Sequence, residues 1–140
     1  MSAPQTTTVM PPSNEPETVV QRQLDAYNAR DLEAFMATYA EEAQLFEHPA
    51  QLFEHPAKLI ASGAAQVRER YSLRFQEQNL HASLIHRIVL GARVMDYERI
   101  TRTFPEGPGT VESLAIYEVA AGRITQAWFI NGPQLIGNRS

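Results

Sequence analysis

Residues Ala43-Gln44-Leu45-Phe46-Glu47-His48-Pro49 are followed at once by an identical copy at positions 50–56. Each copy sets a glutamate beside a histidine, Glu47-His48 and Glu54-His55. An imidazole with a pKa near ~6.5 suits general-base proton transfer at neutral pH, which makes His48 and His55 candidate catalytic residues. The neighbouring glutamate would raise that basicity only if both side chains entered one cavity, whereas successive residues of a strand face opposite ways. A second candidate set lies further on. Asp96, Glu98 and Arg102 would share one strand face with Val94 and Ile100, and Met95, Tyr97, Arg99 and Thr101 the other. Both faces are mixed, so alternation does not choose the inward one. A carboxylate buried there would have its pKa raised by desolvation and could act as acid or base, with Asp96 the candidate. The competing role is an ion-pair ladder with the nearby arginines. Glu112 and Glu118 carry the same ambiguity.

Other chemistries are excluded or left without support. Cysteine is absent, which removes disulfides, thiolate metal sites and cysteine nucleophiles. His81 and His86 stand five apart and would face opposite ways on a continuous strand, and neither they nor the His48/His55 pair has helical zinc spacing, so no metal site is expected. The chain lacks a Gly-x-Ser-x-Gly elbow, a phosphate-binding loop and a dinucleotide fingerprint, so no cofactor is expected either. Tyr39, Tyr71, Phe75, Tyr97, Tyr117 and Phe129, together with Asn131, are candidate ligand-lining residues. Collectively they favour a small hydrophobic or aromatic ligand, with plain core packing the competing role for any one of them.

These groups need a scaffold, and 140 residues suffice for one domain with a real core. Residues 1–16 hold four of the nine prolines and three consecutive threonines, a composition that predicts a disordered tail. Pro16 suits the first turn of a helix, and Val20, Leu24 and Tyr27 give that helix one apolar face ending near Ala29. Asp31 reads as the N-cap of a second helix with an apolar stripe at Leu32, Phe35, Met36 and Tyr39. A third helix opens near Ser62, with Val67, Tyr71 and Phe75 inward and its arginines and Glu69 on a solvated face. After one early strand, four β-rich segments follow: 84–90, 94–103, 111–119 and 124–131. They are separated by Gly91, by Pro105-Glu106-Gly107-Pro108-Gly109 and by Ala121-Gly122. Helices segregated from an antiparallel meander mean α+β.

The repeat is awkward for any strand. Seven is odd, so a strand continued through both copies would reverse the facing of equivalent residues, and Pro49 cannot donate to a central ladder. It is too short and too few in copies for a solenoid and reads as a tandem duplication or insertion, the alternative being a repeated His/Glu ligand set. Either copy could occupy the strand. The net charge of −4 argues against a nucleic-acid or anionic-membrane surface. No apolar run reaches the ~18 residues of a membrane span, and the N-terminus has no secretory signal pattern, so a cytoplasmic protein is expected.

Tyr27–Pro49, YNARDLEAFMATYAEEAQLFEHP, resembles the second-helix and first-strand region of the nuclear transport factor 2-like superfamily, which includes ketosteroid isomerases and SnoaL-like polyketide cyclases. The stretch Ile116–Ile130, with YEVAAGRITQAWFI, resembles its last hairpin. The resemblance implies three N-terminal helices packed on a curved antiparallel sheet that forms a conical pocket, a cystatin-like α+β barrel spanning residues 17–135, with short tails at 1–16 and 136–140. It also implies a homodimer through the outer face of the sheet. The implied activity is cofactor-free acid/base chemistry, as isomerase, cyclase or dehydratase, on a hydrophobic substrate. The alternative is a non-catalytic ligand-binding or dimerisation module. The isomerases' general base falls on His48 or His55, their oxyanion tyrosine on Gln23, and their protonated aspartate near Leu114 or Ala115. Two of three positions are unmatched, which argues against a true ketosteroid isomerase.

Overall fold

The computed structural model describes residues 14–48 and 56–137. His55, most of the second copy of the repeat and most of the N-terminal segment lie outside these residues. Pro16 opens helix α1 (Pro16–Ala29), where its missing N–H is not needed. The helix stops at Arg30, whose left-handed backbone (φ 55°) lets the chain reverse. Asn28 then clamps the helix to the sheet: its amide donates to the Ala82 carbonyl (2.9 Å) and accepts from the Ala82 N–H (2.8 Å).

Asp31 caps α2 (Leu32–Met36) by accepting from the Ala34 N–H at 3.1 Å. This helix is shorter than its apolar stripe predicted. Tyr39 starts strand β1 (Tyr39–Glu47) instead, yet its ring still lies 5.1 Å from that of Phe35. The early strand is in fact two, β1 and β2 (Lys58–Ser62), and β1 takes its residues 43–47 from the first copy of the repeat. Helix α3 (Ala64–Arg74) follows, then β3 (His81–Leu90), β4 (Arg93–Phe104), β5 (Gly107–Ala120) and β6 (Arg123–Ile136).

The six strands form one curved, open sheet in the order β2-β1-β6-β5-β4-β3. Neighbours are antiparallel except β1 and β6, which run parallel, so the sheet is mixed, and it does not close into a barrel. The expected five-residue turn at 105–109 shrinks to Pro105-Glu106, since Phe104 already pairs with Gly107. Gly109 belongs to the strand because a Cβ there would lie 2.3 Å from the Leu135 carbonyl oxygen, so only glycine lets β6 approach. On β5 the inner face is Val111, Ser113, Ala115, Tyr117 and Val119, all buried. The three helices cover this face, and Val19, Val20, Phe35, Leu45, Val67, Val94 and Ile124 form the centre of the core.

Candidate functional site

Between the helices and the inner face lies a cavity of about 170 Å³. Gln23, Leu24 and Tyr27 of α1 and Arg70, Tyr71 and Arg74 of α3 wall it on the helical side. From the sheet come Glu47, Glu98, Arg102, Ser113, Tyr117, Phe129 and Asn131, with apolar fill from Ile100, Phe104 and Val111.

The alternation of β4 is resolved in favour of its charged face: Val94, Asp96, Glu98 and Phe104 are buried inward. Cross-strand pairing decides this, because Asp96 sits opposite Arg87 and Glu98 opposite Ser113. Asp96 is fully buried, and both its oxygens are taken by Arg87 (Nε–Oδ1 2.7 Å, Nη2–Oδ2 2.9 Å), whose Nη1 donates to Gln21 (2.8 Å). This is an anchored ion pair, and it lies outside the cavity wall. Glu98 differs. It is 5% exposed, faces the cavity, and makes no hydrogen bond or ion pair among the described residues. Burial pushes its carboxyl up to about 8, with the charge of Asp96 adding and that of Arg87 opposing.

Two phenols, Tyr39 and Tyr117, feel the charge of this carboxyl. Burial pushes Tyr117 and Tyr39 well above the ordinary value, and Glu98 raises both further. Gln23 Nε2 donates to the Tyr39 hydroxyl (3.1 Å), so the residue at the family's tyrosine position serves to orient another tyrosine. Tyr27 is pushed up to about 12 by burial, against the pull of Arg74, whose Nη1 donates to its hydroxyl (3.3 Å). These phenols therefore remain hydrogen-bond donors at neutral pH. Arg102 is bound by Glu77 (Nη2–Oε2 2.7 Å) and lies over the Phe104 ring.

Of the residues singled out from sequence, Tyr71, Tyr117, Phe129 and Asn131 line the cavity. Asn131 donates to Glu47 at 2.8 Å, joining β6 to the end of β1. Four others are placed elsewhere. Tyr39 is core beneath the wall and Phe75 packs against Tyr27, Phe35 and Tyr71. Tyr97 points outward and donates to Glu112 at 2.6 Å, and Asp96 is occupied by Arg87. His48 donates its backbone N–H to the Phe129 carbonyl (2.9 Å), but the side chain that enters the cavity is that of its neighbour Glu47. The alternation of β1 puts His48 on the outer side with Phe46, whose ring stacks on Trp128 at 5.7 Å.

Two arginines were misplaced by the sequence reading. Arg70 and Arg74 belong to the cavity wall, while Arg68 alone of the three remains exposed, paired with Glu33. The signal was present: Arg70 and Arg74 stand three and seven residues after the buried Val67, on the same helical stripe. His81 and His86 share the outer face, because the bulge at Ile85 pairs them with Thr101 and Tyr97, and among the described residues no group that could hold a metal forms. No described helix is long and apolar enough to cross a membrane.

Residues 20–127 match the SnoaL-like domain family. No curated protein matches the chain at a significant level. Among solved structures, an uncharacterised cystatin-fold protein from Novosphingobium aromaticivorans superposes with a TM-score of 0.71 at 16% identity, covering 83% of this chain and 97% of that one. An NTF2-like protein of unknown function from Mesorhizobium loti gives 0.70 at 20% identity, covering 90% and 98%. A ketosteroid isomerase-like-fold protein from Catenulispora acidiphila, solved with trimethylamine, gives 0.65 at 14% identity, covering 82% and 85%. At these identities the likeness is one of fold.

Proposed function

The chain belongs to the SnoaL-like domain family, and from that premise we propose that it is a cofactor-free enzyme of the isomerase or cyclase type, moving a proton on a small ligand held in the cavity, with Glu98 as the acid/base. One observation carries this reading: a carboxyl on the cavity wall, 5% exposed, with no partner among the described residues. A carboxyl near 8 exists in both forms around neutral pH, which is the condition for accepting a proton from one atom and returning it to another. Tyr117 and Tyr71 line the same space and supply hydroxyl donors for an oxyanion that develops as the proton leaves. Glu98 thus takes the role that the sequence offered to His48, His55 or Asp96.

The reaction class is proton transfer at a carbon beside a carbonyl, the step common to isomerisation and aldol-type cyclisation. Enolisable one-ring ketones such as phenylacetone and cyclohexanone test it through deuterium exchange in D₂O, followed by NMR. The expected result is accelerated exchange that falls ~10²–10⁴-fold in Glu98→Gln. An enzyme-dependent exchange unchanged in that variant would remove Glu98 from the chemistry. No acceleration for any ketone would favour a binding module.

A further inference from the structure

We propose that the cavity selects a small monocarboxylate, receiving its anionic group on Arg70 and its ring or short chain on the aromatic wall. This rests on the reading above that the cavity is the ligand site. Among the wall's guanidiniums, Arg70 is the one left uncommitted. Arg102 is bound bidentately by Glu77 (2.7 and 3.3 Å), and Arg74 donates to Tyr27 and lies 5.6 Å from the centre of the Tyr71 ring. Arg70 has no such contact, and its Nε is buried without a hydrogen-bond partner among the described residues. A buried N–H of a charged group left unpaired is costly, and a carboxylate oxygen is the acceptor that the planar guanidinium fits best.

Charge balance sets the valence. Arg70, Arg74 and Arg102 share the wall with Glu47, and Glu77 binds Arg102 from outside it, which leaves a single positive charge while Glu98 holds its proton. A monoanion neutralises it, whereas a dianion would meet Glu47 with a charge to spare. Size sets the rest. A cavity of 150 Å³ takes benzene, so about 170 Å³ holds one ring or a short chain. Phe129 and Tyr117 meet edge to face at 6.3 Å and offer such a ring an aromatic wall. Arg70, Arg74 and Arg102 also line a groove beside α3, together with Glu69 and Glu77, so the same guanidiniums border both that groove and the cavity.

Calorimetry of the full chain at pH 7 with benzoate and with its neutral isostere benzamide tests this. Benzoate should bind at least ~10-fold more tightly. Arg70→Met should abolish that preference while leaving benzamide binding in place, and Arg68→Met, altering an exposed arginine outside the cavity, should keep it. Equal affinity for the two probes in the unaltered protein would overturn the proposal without needing any variant to fold. A preference that survives Arg70→Met would overturn it too. If benzamide binds in the cavity and benzoate is not preferred, only this inference fails. If neither probe binds, the ligand-site reading fails with it.

Discussion

Asp96 and Glu98 project from one face of β4, two residues apart, and only Asp96 holds a counter-charge. Arg87 places both of its carboxylate-facing nitrogens on Asp96, and what reaches Glu98 is the residual field of a neutralised pair. One carboxyl is thereby committed to a guanidinium and its neighbour is left to titrate. Two identical chemistries acquire two roles from their partners alone.

The titrating carboxyl makes stability depend on pH in a defined sense. Glu98 rises from 4.5 to about 8 on folding, so between those values the native state keeps a proton that the unfolded chain releases. Its contribution is full below pH ~4.5, declines as pH rises, and is flat above ~8, a change on the order of 3–5 kcal/mol. Glu98→Gln mimics the protonated form. Urea unfolding should show the two chains nearly equal at pH 5 and the variant more stable at pH 9. A gap that does not grow with pH would contradict this.

Removing Arg87 should unmask the cost of its partner. Arg87→Met leaves the fully buried Asp96 charge alone and should destabilise by about 3–5 kcal/mol, whereas Arg93→Met, breaking an exposed pair with Glu118, should cost under ~1 kcal/mol. Denaturant midpoints compare the two directly.

His48 faces away from the cavity, so His48→Ala should leave ketone exchange within about twofold while Glu98→Gln loses ~10²-fold or more. Rate measurements on the two single variants decide between His48 and Glu98 as the acid/base.

The outer face of the sheet presents Phe46 stacked on Trp128 with half-buried Leu114 and Ile116 beside them. Apolar area of this kind is expected to be covered by a second copy of the chain. Light scattering should give a dimer at micromolar concentration, and Trp128→Glu should shift it towards monomer. A monomeric parent protein would refute the expectation.

Deleting residues 50–56 should preserve the fold. Glu47 pairs with Lys58, so the deletion leaves His48, Pro49 and Ala57 between paired strand ends, the length of an ordinary hairpin loop. Melting temperature should hold or rise by a few degrees, since shortening a loop costs little closure entropy. An unfolded product would mean both copies are structural.

Much of the fold was legible because its punctuation is local. Pro16, the Asp31 cap and the turns at Gly91 and Ala121-Gly122 each act within a few residues. Tyr39 misled because burial periodicity survived a change of element: the chain leaves α2 after Met36 and β1 returns the ring to Phe35. Pro108-Gly109 misled because a glycine needed for strand approach has the same identity as one needed for a turn. The site itself was half visible. Its aromatic wall could be named, and Arg70 keeps the helical spacing of the buried Val67, but choosing Glu98 over Asp96 required the register of β3 on β4, which sets Arg87 opposite Asp96. Alternation along β4 alone does not carry that register.

The parallel contact between β1 and β6 has a temporal consequence. Gln44 meets Gln126, and Glu47 accepts from Asn131, across more than eighty residues of chain. During synthesis β1 has only β2 to pair with until residues 124–131 emerge, so all three helices and the first two strands leave the ribosome before the side of the cavity that Phe129 and Asn131 provide. Contacts of such separation are late and slow to form. The cavity is therefore completed by the last strand, and a nascent chain halted before it would carry every charged residue of the wall without the enclosure that β6 supplies.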